Sequence, residues 1–84
     1  MSGVAGKVVV VTGAARGQGA AEARMFAVRG AKVVLTDVDE AGAALAAELG
    51  PACLFMRHDV GDEASWSAVI GEAIGRFGRL DVLV

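Results

Sequence analysis

The sequence Thr12-Gly13-Ala14-Ala15-Arg16-Gly17-Gln18-Gly19 directly follows four consecutive valines at residues 8–11. A run of β-branched apolar residues favours a strand that is buried on both faces. The glycines that follow favour a tight turn, because glycine adopts backbone conformations that other residues avoid. The alanine-rich stretch beyond has the composition of a helix. The sequence therefore predicts a strand, a glycine-rich turn and a helix in direct succession.

The same alternation continues along the chain, with short β-branched apolar runs between longer alanine-rich stretches of helical spacing. We predict strands at residues 7–12, 32–36, 52–56 and 80–84, and helices at residues 17–29, 39–49 and 62–77. Asp39 and Asp62 stand at the expected helix N-caps. Gly30 and Gly50 stand at the expected C-caps. This βαβαβαβ pattern predicts an α/β fold with a parallel sheet, flanking helices and right-handed crossovers.

Length and composition restrict the class of protein. The chain has 84 residues, of which 55% are hydrophobic and 21% charged, with a net charge of −2. We expect one small domain without a membrane span, because no apolar run approaches the ~20 residues that a membrane helix needs. The negative charge and the scattered basic residues argue against a nucleic-acid partner. The N-terminus does not resemble a secretory signal and Cys53 is the only cysteine, so we expect a cytoplasmic protein.

The turn that contains Gly13, Gly17 and Gly19 can hold a phosphate group. A helix N-terminus attracts anions through its backbone N–H groups and its dipole, and glycines let the anion approach. We expect Gly13 to permit a tight exit from the strand, Gly17 the approach of a pyrophosphate, and Gly19 close packing of helix on sheet. A tight turn without a ligand is the alternative. A P-loop is excluded, because no Gly-Lys-Ser or Gly-Lys-Thr follows.

Asp37 ends the second predicted strand, beside the glycine turn in a parallel sheet. A carboxylate there can accept hydrogen bonds from both hydroxyls of an adenosine ribose, whereas it repels a 2′-phosphate. The phosphate cradle and the ribose acceptor together predict a dinucleotide site that favours NAD. An S-adenosylmethionine methyltransferase has a similar arrangement, but its loop usually carries an acid where this chain has Thr12.

The spacing T-G-x-x-x-G-x-G at residues 12–19 resembles that of the short-chain dehydrogenase/reductase family. Further landmarks occur along the chain in the family's order. They are Gly6-Lys7-Val8 before the loop and, after it, Gly30-Ala31-Lys32-Val33, Asp37, Asp59-Val60 and the ending F-G-R-L-D-V-L-V at residues 77–84. The resemblance covers essentially the whole chain. It implies a Rossmann-type sheet in the order 3-2-1-4 and an NAD- or NADP-dependent oxidoreductase for alcohols or carbonyls, similar to members that act on alcohols, sugars or hydroxysteroids.

The resemblance also implies roles for individual residues. Asp59 would take the exocyclic amine of the adenine, and the backbone N–H of Val60 would meet a ring nitrogen. Arg16 matches a position where NADP-preferring relatives often carry a basic residue, which opposes the preference set by Asp37. Val38 supplies no second basic group for a 2′-phosphate, so NAD remains favoured over NADP.

Two residues depart from the family's pattern, and both lie at the start of the first helix. Gln18 replaces the usual apolar residue between the last two glycines, although its backbone N–H can still serve a phosphate. Glu22 replaces a usual apolar residue and is expected to weaken the packing of helix on sheet. The predicted cofactor-binding residues are Gly13, Arg16, Gly17, Gln18, Gly19, Asp37, Val38, Asp59 and Val60, and no metal site is predicted.

The catalytic residues of the family are missing from the chain. The resemblance implies a Tyr, a Lys four residues on, a Ser and an Asn, yet this chain contains no Tyr. Lys7 and Lys32 start predicted strands, at the edge of the sheet opposite the ligand crevice. The sequence ends at Val84, where the family continues into an Asn-Asn-Ala-Gly turn. We therefore expect residues 1–84 to be a single truncated NAD-binding domain, a partial Rossmann fold without catalytic residues.

Other residues receive structural interpretations. His58 is interpreted as a solvated loop residue, Cys53 and Met56 as core residues, Trp66 as a packing residue of the last helix, and Thr12 as a hydrogen-bonding support of the glycine turn.

Two further hypotheses concern partners. The chain could be a stand-alone nucleotide-binding or interaction module whose exposed fourth strand, a template for strand pairing, recruits a second chain. Members of the family that the chain resembles often form homotetramers, through helices that lie largely beyond these residues.

Overall fold

The four valines of residues 8–11 form the centre of the structure. In the computed structural model, which describes residues 4–59 and 61–84, all four are completely buried. The elements are β1 (Val8–Thr12), α1 (Gly17–Val28), β2 (Lys32–Asp37), α2 (Ala41–Leu49), β3 (Cys53–Arg57), α3 (Glu63–Phe77) and β4 (Val82–Leu83). The strands pair in parallel in the order β3-β2-β1-β4. The predicted α/β fold and strand order are confirmed.

Two separate apolar layers cover the two faces of the sheet. Alternate side chains of a strand point to opposite faces, so neighbouring valines of β1 enter different layers. Val9 and Val11 pack with residues of α1 and α2, whereas Val8 and Val10 pack with Val69 and Ala73 of α3. Cys53 is buried in the first layer, as expected, and Met56 lies at the margin of the second.

The helix ends agree with the predicted caps in part. Asp62 caps α3, because its carboxylate accepts a hydrogen bond from the Ala64 N–H at 3.0 Å. Asp39 is not the N-cap of α2, which starts two residues later than predicted with Glu40 at that position. The Asp39 carboxylate instead accepts from the Ala41 N–H at 2.9 Å, in a turn that precedes the helix. Gly50 is the C-cap of α2, whereas Gly30 follows the α1 C-cap residue Arg29.

Gly19 brings the first turn of α1 against the end of the central strand. A Cβ atom at this position would lie 2.0 Å from the Gly13 carbonyl oxygen and 3.1 Å from the Thr12 carbonyl oxygen. The obstacle is backbone, which cannot rotate away as a side chain can. Only glycine therefore fits here without moving the helix from the strand end.

We expect Gly19→Ala to lower the free energy of unfolding by ~2 kcal/mol or more, because an added methyl group overpacks a fixed site. Gly71→Ala is the matched control, since that residue lies within α3 and an added Cβ meets nothing within 4 Å. The control should stabilise the chain by about 0.5–1 kcal/mol through helix propensity. Urea unfolding of both variants measures the difference, and equal effects would contradict the packing role of Gly19.

The short strand β4 is attached to β1 through its flanking residues. The Val8 N–H donates to the Asp81 carboxylate at 2.9 Å, and the Asp81 N–H donates to the Val8 carbonyl at 3.0 Å. At the other end, the Thr12 hydroxyl and the Thr12 N–H both donate to the Val84 carbonyl at 3.0 Å. The interpretation of Thr12 as a support of the glycine turn is wrong, because its hydroxyl lies toward the neighbouring strand.

The attachment of β4 to β1 favours the ionised form of the Asp81 carboxyl group. The backbone N–H of Val8 and, after it, the Arg79 guanidinium lower the pKa of Asp81 below its ordinary value. A carboxylate with a lowered pKa in the folded chain binds protons less readily than in the unfolded chain. It stabilises the fold above its unfolded pKa, and this contribution disappears as the pH falls through the folded value.

We expect stability to fall below about pH 5 and this fall to be shallower in Asp81→Asn, which removes the titrating group. Urea unfolding of both chains along a pH series measures the slopes. An unchanged slope in Asp81→Asn would show that the attachment of β4 does not depend on this charge.

Candidate dinucleotide site

The cleft lies at the carboxyl ends of β1, β2 and β3, where the loops after the three strands meet. It has a volume of about 180 Å³ and is lined by Gly13, Asp37, Val38, His58 and Asp59. Parallel strands place their carboxyl ends at one edge of the sheet, which is why residues far apart in sequence converge there. Four of the predicted site residues line this cleft.

The glycine turn has the backbone geometry that its sequence predicts. Gly13 and Gly17 both have φ of +62°, in the left-handed region that other residues rarely adopt. Arg16 is the N-cap of α1, its side chain makes no capping hydrogen bond, and the first turn of the helix has no acidic residue. Gln18 is exposed in that turn. The start of α1 therefore presents backbone N–H groups and a positive dipole end that suit a phosphate.

Asp37 is held at the end of β2 by two backbone groups. One carboxylate oxygen, Oδ2, accepts from the Ala15 N–H at 3.0 Å, and the other, Oδ1, accepts from the Asp39 N–H at 2.9 Å. A carboxylate has about four acceptor positions, so each oxygen retains capacity for a further donor. The half-buried Asp37 is thus fixed beside the glycine turn in a form that can accept from two vicinal hydroxyls.

Arg16 and Asp39 form an ion pair beside Asp37. Arg16 comes from the glycine turn and Asp39 from the loop between β2 and α2. The pairing of Arg16 was not foreseen, because residues 23 positions apart meet only through the geometry of two loops.

Asp59 follows β3 and is exposed at the edge of the cleft. Its carboxylate accepts from the Gly61 N–H at 2.9 Å, and its own N–H donates to the Ser65 hydroxyl at 3.2 Å. The carboxylate is oriented by this turn and remains open to the cleft. Val60, the other residue predicted to meet the adenine, lies outside the described residues.

His58 is buried, with only 2% of its surface exposed, so its interpretation as a solvated loop residue is wrong. Its N–H continues the sheet by donating to the Asp37 carbonyl at 3.0 Å. The ring meets Trp66 edge to face, with centroids 4.2 Å apart and planes at 74°. The missed signal is the strand period, which places residue 58 on the same face as residue 56, toward α3.

The Thr36 hydroxyl links the His58 ring to the central strand. The Thr36 hydroxyl donates its single proton to the Val11 carbonyl at 3.2 Å, and His58 Nδ1 lies 3.3 Å from the same oxygen. The other ring nitrogen, Nε2, is buried and has no hydrogen-bond partner in the part of the chain that the structure describes.

We expect Thr36→Val to lower the free energy of unfolding by about 1–3 kcal/mol, because it leaves the buried His58 Nδ1 without its hydrogen-bond partner. Thr36→Ser keeps the hydroxyl and should retain most of the stability. Urea unfolding of the two variants separates hydrogen bonding from packing. A Thr36→Val chain as stable as Thr36→Ser would contradict the assigned bond.

Comparison with known proteins agrees with the fold. Residues 7–84 match the sequence profile of the short chain dehydrogenases. A 3-beta-hydroxysteroid dehydrogenase of Comamonas testosteroni is 48% identical over 80 residues, which cover 94% of this chain and 32% of the relative. An L-fucose dehydrogenase of Oryctolagus cuniculus is 54% identical over 81 residues, covering 95% of this chain and 28% of the relative.

A solved structure shows the same likeness in three dimensions. It is the 3-ketoacyl-(acyl-carrier-protein) reductase of Brucella melitensis complexed with NADH, with a TM-score of 0.91 and 42% identity over 95% of this chain and 33% of that one. The chain belongs to the short-chain dehydrogenase/reductase family. It spans about a third of the length of the relatives it matches. None of the helices in residues 4–59 and 61–84 has the length and apolarity that crossing a membrane requires.

Proposed function

We propose that this chain is the cofactor-binding N-terminal portion of an NAD-dependent oxidoreductase that acts on an alcohol or carbonyl substrate. The observation that carries the proposal is the fixed carboxylate of Asp37, held by the Ala15 and Asp39 N–H groups beside the glycine turn. The dehydrogenases and the NADH-bound reductase that the chain resembles support the same reading.

The residues of the cleft suit the adenosine half of the cofactor. The start of α1 would hold the pyrophosphate, Asp37 would accept from the ribose hydroxyls, and Asp59 would accept from the adenine amine. Bound NAD would supply the nicotinamide ring that takes a hydride from an alcohol. The chain has no Tyr, so the proton transfer that accompanies the hydride would require residues outside these 84.

Asp37 favours NAD over NADP for an electrostatic reason. A 2′-phosphate would replace the hydroxyl that this carboxylate accepts from, and it would bring a second negative group into direct contact with the first. The neighbouring Val38 is exposed and offers no positive charge to offset that repulsion. A cytosolic site of action is part of the same proposal, and the free thiol of Cys53 supports it.

Calorimetric titration of the purified chain with NAD and NADP tests the proposal, and we expect tighter binding of NAD. Asp37→Ala should weaken NAD about tenfold or more, since it removes charge-assisted hydrogen bonds. It should also narrow the difference between NAD and NADP. Glu72→Ala is the matched control, because it removes an exposed carboxylate on α3, which does not line the cleft.

Two outcomes would contradict the proposal. One is a wild-type chain that binds NADP at least as tightly as NAD. The other is an Asp37→Ala chain that keeps wild-type affinity for NAD while its circular dichroism and unfolding midpoint show a folded domain.

A further inference from the structure

The glycine turn and the loop after β2 are joined by three successive links beyond the end of the sheet. The Ala14 N–H donates to the Thr36 carbonyl at 3.0 Å, and the Ala15 N–H donates to the Asp37 carboxylate at 3.0 Å. Arg16 and Asp39 form the third link, through their charged side chains. Residues 14, 15 and 16 thus contact residues 36, 37 and 39 in turn. The glycine turn therefore stays paired with the end of β2 and the loop that follows it.

Asp39 is the fixed member of the ion pair and Arg16 the movable one. The Asp39 N–H donates to the Asp37 carboxylate, and the Asp39 carboxylate accepts from the Ala41 N–H at 2.9 Å. The Arg16 side chain is 76% exposed, compared with 38% for Asp39. Within residues 4–59 and 61–84 the Arg16 side chain pairs with Asp39 alone, and a long, exposed side chain moves when its partner is removed. The position of the guanidinium therefore depends on the Asp39 carboxylate.

We infer that Asp39 is a second determinant of cofactor specificity, which acts by neutralising Arg16. The inference rests on the proposed function, because it concerns the ribose end of the same dinucleotide site. Arg16 directly follows Ala15, whose N–H holds the ribose acceptor Asp37, and it is the group that would attract a 2′-phosphate. When it is paired with Asp39, its charge is balanced at that position, and its Nη2 group donates to a carboxylate instead of the cofactor.

The charges of three side chains show what each substitution does. Asp37 and Asp39 are negative and Arg16 is positive, so together they carry one net negative charge at the ribose end. Asp39→Asn removes that net charge and releases the guanidinium, whereas Arg16→Gln removes the positive charge and leaves two negative ones. A 2′-phosphate carries negative charge near neutral pH, so the first change should favour NADP and the second should oppose it.

Asp39→Asn is a sharp probe because it changes the charge and keeps the local hydrogen bond. The amide oxygen of asparagine can still accept from the Ala41 N–H, so the turn before α2 persists. Glu40→Gln is the matched control. Glu40 is the adjacent residue, is exposed, and makes no side-chain capping bond to α2. The control removes the same charge one position away without releasing Arg16.

The test is calorimetric titration of wild type, Asp39→Asn, Arg16→Gln, the double variant and Glu40→Gln with NAD and with NADP at low ionic strength. Exposed ion pairs and released charges have modest effects, so we expect Asp39→Asn to tighten NADP about fivefold and to change NAD by less than about twofold. Arg16→Gln should weaken NADP. The double variant has the net charge of wild type but no guanidinium, so it should lack the gain in NADP affinity, because Asp39 acts through Arg16. The gain in NADP affinity of Asp39→Asn should shrink at high salt, because salt screens the charges.

The possible failures are distinguishable. If wild type prefers NAD but Asp39→Asn gains no affinity for NADP, or Glu40→Gln gains as much, the role of Asp39 is overturned and the proposed function stands. If the double variant keeps the gain, Arg16 is not the group that Asp39 controls, and the inference is overturned. If wild type binds neither nucleotide, both the proposed function and the inference are overturned.

Discussion

The burial of β1 on both faces is the constraint on which the remainder of the structure depends. Its four valines have no exposed surface, so helices must cover both faces of the sheet. Strand neighbours on both edges satisfy its backbone groups. Crossover helices require parallel strands, and parallel strands bring their carboxyl ends to one edge. The cleft is thus a geometric result of burying one apolar strand.

The same pairing of β1 with β2 also fixes the positions of the site residues. Hydrogen bonds from the glycine turn to Thr36 and Asp37 continue the two strands beyond the sheet. The Asp37 carboxylate is therefore held in place by protein groups before any ligand binds. A preorganised acceptor loses little conformational freedom on binding, which favours affinity for a partner with matching donors. Backbone hydrogen bonds thus fix the position of the Asp37 carboxylate, and the exposed side chains around it set the local net charge.

Particular residues show what could be predicted from the sequence and what could not. The strand order and the turn at Gly13 follow from local composition and period, because each depends on neighbours in the chain. The predicted places of Asp37 and Asp59 at the cleft also follow, since each directly ends or follows a strand. The pairing of Arg16 with Asp39 depends on two loops meeting, which no local pattern encodes. The burial of His58 was missed because a polar residue type outweighed the strand period.

The contact between His58 and Trp66 gives the chain a built-in optical reporter. The chain has one tryptophan and no tyrosine, so its near-ultraviolet emission comes from a single ring. That ring lies against His58, which lines the cleft beside Asp59. Indole emission responds to the polarity and charge of adjacent groups. Events at the end of the cleft near Asp59 are therefore readable from the intrinsic fluorescence of the unlabelled chain.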